Sequence, residues 1–194
     1  MSGSLSRREF LETARVTAIT VSAGSLGLLT AACRNPTEER VAWGGVVLRH
    51  DEGELLIGGR RKAPMRVKVD SKIASGATMS MIVSEVAPGA SIPVHLHRNE
   101  DELIFIHTGS GVVTLGDTRV PVAPGAMLYG PRNIWHGVEN TGSSTLTWCA
   151  IYSPPGFEQF FRETGVRPGG KESPPGPEQA AAIARKYGMI FREA

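Results

Sequence analysis

Between Val41 and Tyr152 the chain is a succession of short apolar runs, closed off by turns that carry glycine or proline. The candidate strands cover 43–49, 54–58, 65–70, 78–86, 92–97, 102–107, 111–116, 119–122, 126–129, 134–139 and 145–152. Between them lie turns such as Asp51-Glu52-Gly53, Pro88-Gly89, Gly109-Ser110-Gly111, Gly116-Asp117, Pro124-Gly125 and Thr141-Gly142. Glycine admits the positive φ that a tight turn needs, and proline fixes φ at its entrance. Short strands at this spacing predict an all-β barrel or sandwich. With 23 glycines, 13 prolines and only 6% aromatic residues, the composition suits many short strands better than a helical bundle. No segment repeats internally, and 194 residues suffice for one domain, so the expectation is a single barrel over residues 43–152.

The pattern changes after Pro155. Phe157, Phe160 and Phe161 fall at i, i+3 and i+4, which predicts a helix over 156–164. Residues 165–177 are rich in proline and glycine and read as a loop. A second helix is expected over 178–187, with Pro177 at its start and Gly188 just past its end. Both helices are expected to pack on the outside of the barrel, so that 153–194 forms a short C-terminal helical extension.

The opening of the chain reads as an address. Ser6-Arg7-Arg8-Glu9-Phe10-Leu11 resembles the twin-arginine export signal and departs from it only at the last position, Glu12. The stretch from Val16 to Ala32 is weakly apolar and too short and polar for a membrane span, which needs roughly 20 strongly apolar residues. A basic start, an apolar middle and small residues before a cut make a signal peptide over residues 1–32. Leu29-Thr30-Ala31-Ala32-Cys33 resembles a lipoprotein box, which implies a lipid anchor at Cys33. Thr30-Ala31-Ala32 also satisfies ordinary signal peptidase, so simple release is the alternative. Residues 33–42 read as a linker or tether. The resemblance implies the twin-arginine export machinery as a partner and a periplasmic or membrane-tethered location. A net charge of +2, with no basic stripe carrying interleaved aromatics, argues against nucleic acid as a partner.

The candidate chemistry begins at His95-Leu96-His97, where strand geometry puts two imidazoles on one face. Two imidazoles facing a barrel interior are costly unless something binds them, and a metal is the simplest such partner. Alone, a His-x-His is a weak signal. Its surroundings are specific: five residues separate Gly89 from His95, four separate His97 from Glu102, and six separate Glu102 from Gly109. Downstream, five residues separate Gly125 from Pro131, four separate Pro131 from His136, and three separate His136 from Asn140. This resembles the two motifs of the cupin superfamily, G-x5-H-x-H-x3–4-E-x6-G and G-x5-P-x-G-x2-H-x3-N. The departure is Asn133, which stands where the second motif has glycine; asparagine tolerates left-handed backbone better than most residues. Asp101 could fill the acidic slot by the first spacing, but the six residues to Gly109 select Glu102.

The resemblance implies a double-stranded β-helix, or jelly-roll, holding one divalent transition metal through His95, His97, Glu102 and His136. Mixed nitrogen and oxygen ligands suit Fe, Mn, Ni, Zn or Cu. In small cupins similar to quercetin dioxygenase the glutamate touches the metal and also takes a proton from the substrate hydroxyl, which implies a catalytic role for Glu102. The activity implied is that of a dioxygenase acting on a small metal-chelating molecule with a hydroxyl or enediol group. Fold does not fix function, so a cupin isomerase or lyase, or a non-catalytic periplasmic binder of a metal or small ligand, stays open. A homodimer is implied by the same resemblance. Ile104 and Ile106 share the face of Glu102 and should point inward, with His107 pointing away. Met79, Met81 and Val83 are expected to form a second apolar wall, Tyr129 and Trp135 to stand near the mouth, and His50 to be solvated. Cys149, in the apolar run with Trp148 and Ala150, reads as a buried small hydrophobe.

Overall fold

The structure is a computed structural model that describes residues 45–58 and 63–193. Residues 1–32, read as a signal peptide, and residues 33–42, read as a tether that includes Cys33, lie outside the described residues. Among the described residues, twelve strands and two helices follow in chain order. The strands are β1 (Glu54–Gly58), β2 (Ala63–Val69), β3 (Ser80–Val86), β4 (Ser91–His97), β5 (Asp101–Thr108), β6 (Gly111–Leu115), β7 (Thr118–Val122), β8 (Met127–Gly130), β9 (His136–Glu139) and β10 (Leu146–Ser153), then β11 (Gly165–Val166) and β12 (Met189–Phe191). The helices are α1 (Glu158–Thr164) and α2 (Pro177–Lys186).

The strands form two sheets, one ordered β11-β1-β2-β3-β10-β5-β8 and the other β12-β4-β9-β6-β7. Every pairing is antiparallel. This is the all-β architecture expected from the alternation of short strands and turns, in the jelly-roll form that the resemblance implies. The core is built by the period of two: Ser80, Ile82, Ser84 and Val86 on β3 face inward, as do Ile104 and Ile106 on β5 and Leu146, Trp148, Ala150 and Tyr152 on β10. Burying each large apolar side chain of this set stabilises the fold by roughly 1.5–3 kcal/mol.

Two glycine-type positions set turns that the motifs require. A side chain on Gly109 would stand 2.6 Å from the Leu146 Cα and from the Thr145 carbonyl oxygen, and the residue has φ 76°. Asn133 takes φ 65°, the left-handed backbone expected where the motif carries glycine. Its N–H donates to the His97 carbonyl at 2.8 Å, so the second motif's turn is fastened to the first motif's strand.

Four expectations need correction. Of the candidate strand at 43–49, the described residues 45–49 form only an isolated bridge at Val46. On β3 the inward set is the even-numbered one, so Met81 and Val83 lie on the opposite face and Met79, just before the strand, is 45% exposed. The inward series of Ser80, Ile82 and Ser84 is weaker in hydrophobicity than Met79, Met81 and Val83, so the more apolar parity of this strand is the outer one. Cys149 falls on the outer parity of β10 and is only half-buried. Finally, the C-terminal extension is not merely external. Gly165–Val166 pairs with β1 and Met189–Phe191 pairs with β4, so it adds an edge strand to each sheet. Phe157, ahead of α1, is buried to 1% exposure among Tyr152, Phe160 and Phe161. Arg162 of α1 ties the helix to the barrel by binding Glu54 at 2.6 Å and Asp70 at 2.5 Å.

Candidate metal centre

Three strands bring the four predicted ligands together. His95 and His97 lie on β4 and His136 on β9, neighbours in the five-stranded sheet, where His95 and His136 face each other in register. Glu102 comes from β5 in the opposite sheet, directly across from Gly130 of β8 and Tyr152 of β10. The centre therefore spans the two layers. All four side chains are buried, none more than 5% exposed, and one ligand atom from each lies within 4.8 Å of the others. Among the described residues this is the one such cluster of histidine, cysteine and carboxylate groups.

The hydrogen bonds fit a metal. His95 Nδ1 lies 2.8 Å from the Pro93 carbonyl and His136 Nδ1 lies 2.8 Å from the Ile134 carbonyl. A carbonyl can only accept, so in both rings Nδ1 carries the proton and Nε2 is left as the ligating nitrogen. Glu102 Oε2 stands 2.6 Å from His136 Nε2 and 3.2 Å from His97 Nε2. His97 makes no hydrogen bond at either nitrogen, although both are buried. An orphaned imidazole facing a carboxylate and two further imidazoles has the donor set of a divalent transition-metal site.

The electrostatics agree with that reading at His95 and Glu102. Burial, then the neighbouring His136 and His97 imidazoles, push the His95 imidazole down to about 3, which keeps it neutral as a ligand must be. Burial alone would raise the Glu102 carboxyl, but the hydrogen bond from His136 and the nearby His97 imidazole outweigh it and hold Glu102 well below the usual carboxylate range. His136 shows the reciprocal effect, and it runs against ligation: burial works against its charged form, but the bond to Glu102 raises it, so a metal at Nε2 has to displace the proton shared with Glu102.

Several neighbours shape the site. Gly130 packs against His136; a Cβ there would come within 3.2 Å of the ring's Nδ1. Phe157 meets the His97 ring edge-on, with centroids 4.2 Å apart, and Tyr152 stands 5.4 Å from the same ring. Phe191 of β12 lies 6.2 Å from His95. Glu100, in the turn between β4 and β5, is buried with its Oε2 unpartnered, 3.9 Å from His97 Nδ1. Burial and then the nearby Glu158 carboxylate raise Glu100 to about 7.

Of the other residues considered from sequence, Asp101 stays out of the cluster and binds Arg132 at 3.1 and 3.2 Å. Asn140 is structural: its amide donates to the Val86 and Ser144 carbonyls at 2.7 and 2.8 Å. Ile104 and Ile106 point inward, and His107 and His50 are exposed, as expected. Tyr129 is 51% exposed, and Trp135 lies under the Arg192 guanidinium at 5.3 Å. The residues that sequence reasoning missed are Glu100, Gly130, Tyr152 and Phe191. Gly130 precedes the motif's Pro131, and Phe191 closes an apolar Met-Ile-Phe run just after a helix-ending glycine; these were the available signals.

Comparison with known protein families picks out the same part of the chain. Residues 82–152, which contain all four clustered residues, match the family model described as Cupin domain. An oxalate-binding protein of Thermotoga maritima is 26% identical over 94 residues, spanning 48% of this chain and 78% of that protein. An uncharacterized protein of Methanocaldococcus jannaschii is 29% identical over 91 residues, spanning 46% of this chain and 73% of the other. Among solved structures, one of a predicted oxalate decarboxylase from Thermotoga maritima superposes with a TM-score of 0.50 at 23% identity, covering 57% of this chain and all of that one.

Proposed function

We propose that this cupin domain is an exported, metal-dependent module for a small molecule that chelates through oxygen, and that it acts as an oxidoreductase of the dioxygenase type. One observation carries the metal reading: four buried ligand side chains converge within 4.8 Å, with two imidazoles already committed at Nδ1 to backbone carbonyls. A bound divalent Fe, Mn, Ni, Zn or Cu ion would supply Lewis acidity and, for the redox-active metals, one-electron chemistry with dioxygen. His95, His97 and His136 would present Nε2, and Glu102 its carboxylate.

What the chain's own groups contribute follows from their surroundings. Glu102 is held ionised, which is the ligating form. To take the hydroxyl proton of a substrate as well, it has to exchange its bond with His136 for one with the substrate, so ligation comes first and base chemistry second. Phe157 and Tyr152 close over His97, and Ile104 and Ile106 continue the inward face of β5 from Glu102. That enclosure supports a small ligand.

A second reading, binding without turnover, is favoured by the similarity to a protein named for binding oxalate. Oxalate is a small dicarboxylate that chelates a cation through two oxygens, so both readings share one ligand chemistry. The resemblance of residues 6–11 to a twin-arginine signal supports export, and the route suits a domain that loads its metal before crossing the membrane.

The test is metal content per full-length chain by mass spectrometry, followed by oxygen uptake with catechols and flavonols and by calorimetric titration with oxalate. Near one metal per chain with oxygen consumption establishes the oxidoreductase. One metal with tight oxalate binding and no turnover establishes the binder. A folded chain that takes up none of Fe(II), Mn(II), Ni(II) or Zn(II) sinks the metal reading.

A further inference from the structure

His95 and His136 show what an aimed ligand looks like in this site, and His97 lacks it. Each of the first two donates its Nδ1–H to the carbonyl two residues upstream, at 2.8 Å. His97 presents Nε2 to the centre, 3.2 Å from Glu102 Oε2, so its Nδ1 carries the proton whenever Nε2 ligates. No carbonyl bonds that nitrogen, and it is fully buried.

The atom facing it is Glu100 Oε2, 3.9 Å away, also buried and also without a partner. Glu100 belongs to the turn between β4 and β5, where its neighbours Arg98 and Asn99 are exposed and a carboxylate would ordinarily sit in water; here the residue is 5% exposed. Leaving a buried acceptor unsatisfied costs roughly 1–3 kcal/mol, more for a charge. Two orphaned atoms of complementary chemistry, a donor and an acceptor, satisfy each other if the gap closes by about 1 Å, which a single side-chain torsion supplies.

We propose that Glu100 is a positioning residue of the metal centre: its carboxylate accepts the Nδ1–H of His97 and thereby aims His97 Nε2 at the bound metal. The inference rests on the metal reading above. The aromatic contacts cannot replace this bond. Phe157 meets the His97 ring at 83° and Tyr152 at 67°, which fixes the plane of the ring but not which way round it sits. A half-turn about Cβ–Cγ keeps the plane and exchanges Nε2 for carbon. An acceptor on the Nδ1 side decides between the two.

The test uses the full-length chain loaded with Co(II), with release to a chelator followed through the cobalt absorption bands. Glu100→Ala is expected to speed release roughly tenfold to a hundredfold. Glu100→Gln, which keeps an acceptor oxygen without charge, should fall between Ala and wild type. In a His97→Ala background the effect of Glu100→Ala should vanish, whereas a general loosening of the turn would persist. In the Zn(II)-loaded wild type, nitrogen-15 spectra of the histidines should show His97 with a slowly exchanging, downfield Nδ1 proton. That measurement needs no variant to fold. A folded Glu100→Ala chain that holds cobalt as tightly as wild type, or a His97 Nδ1 without its proton in the zinc form, overturns the positioning role while leaving the metal site standing. A wild type that binds no metal overturns both.

Discussion

His95 and His136 are held by their own strands, whereas His97 is held by side chains from elsewhere. The first two rings lean on carbonyls two residues upstream, so their orientation follows from local backbone and needs no particular side chain. His97 depends on Phe157 and Tyr152 from the far end of the chain and on Glu100 from the neighbouring turn. The contrast teaches that a ligand motif fixes where a ring stands, while its aim can be supplied by residues the motif does not contain.

The largest effect expected is on the ligands themselves. His136→Ala and Glu102→Ala should each lower metal affinity more than a hundredfold, read by titration against a competing chelator, because each removes a ligand outright from a closed four-residue set. A His136→Ala chain that still binds metal near wild-type strength would break the four-ligand assignment.

Phe157→Ala probes the other side of the comparison. The ring is 1% exposed and joins α1 to Tyr152 and His97, so its loss should destabilise the fold by about 3–5 kcal/mol, measured by urea unfolding. Metal release from the remaining folded protein should also quicken, since the ring that sets the His97 plane is gone. Unchanged release with reduced stability would mean that Phe157 serves packing alone.

The sequence disclosed this division unevenly. The strands carrying the ligands were legible because turn residues bracket them and a period of two marks their faces. The four clustered residues were legible because motif spacing records which positions share an interior. Glu100 was not, because a glutamate in a polar turn reads as solvated until the chain is seen burying it near Gly156 and Glu158, where α1 begins. Phe157 was found as part of a helical face, but sequence periodicity says only that a face is apolar, not that its first ring reaches a histidine 60 residues upstream. The inward face of β3 is hidden for a related reason: its serines weaken the alternation that identifies a buried face.

Arg162 tests whether the tail, which brings Phe157 to His97, is anchored by charge. Asp70 is 0% exposed and binds the Arg162 guanidinium at 2.5 Å, with further bonds from the Ile73 and Lys72 backbone N–H groups at 2.9 and 3.0 Å. Arg162→Ala leaves a buried carboxylate without its cation, an effect of about 2–4 kcal/mol after allowing for the two backbone bonds that remain. Burial works to raise Asp70, but the Ile73 N–H, then Arg162, outweigh it and lower it from the ordinary 3.8. A carboxylate depressed in the folded state contributes stability that is fully present above about pH 4 and is lost as pH falls through the lower folded value. Urea midpoints should therefore decline in that acid window for the wild type and decline less for Asp70→Asn. Equal slopes would show that other carboxylates govern acid unfolding.

The smallest effect, and the sharpest for the comparison, is expected at Gly130. A methyl group there would sit 3.2 Å from His136 Nδ1, the atom that donates to the Ile134 carbonyl. The backbone is not in the glycine-only region, so Gly130→Ala adds crowding without conformational strain. The ring must then move by a few tenths of an ångström or weaken its 2.8 Å bond. If the backbone carbonyl truly aims His136, metal affinity should fall by a few-fold with stability reduced by about 1 kcal/mol or less. If His136 is instead aimed by the Glu102 carboxylate it meets at 2.6 Å, the ring can shift while keeping its Nε2 in place, and metal affinity will not change. The backbone-held half of the site would then depend on side chains as much as His97 does.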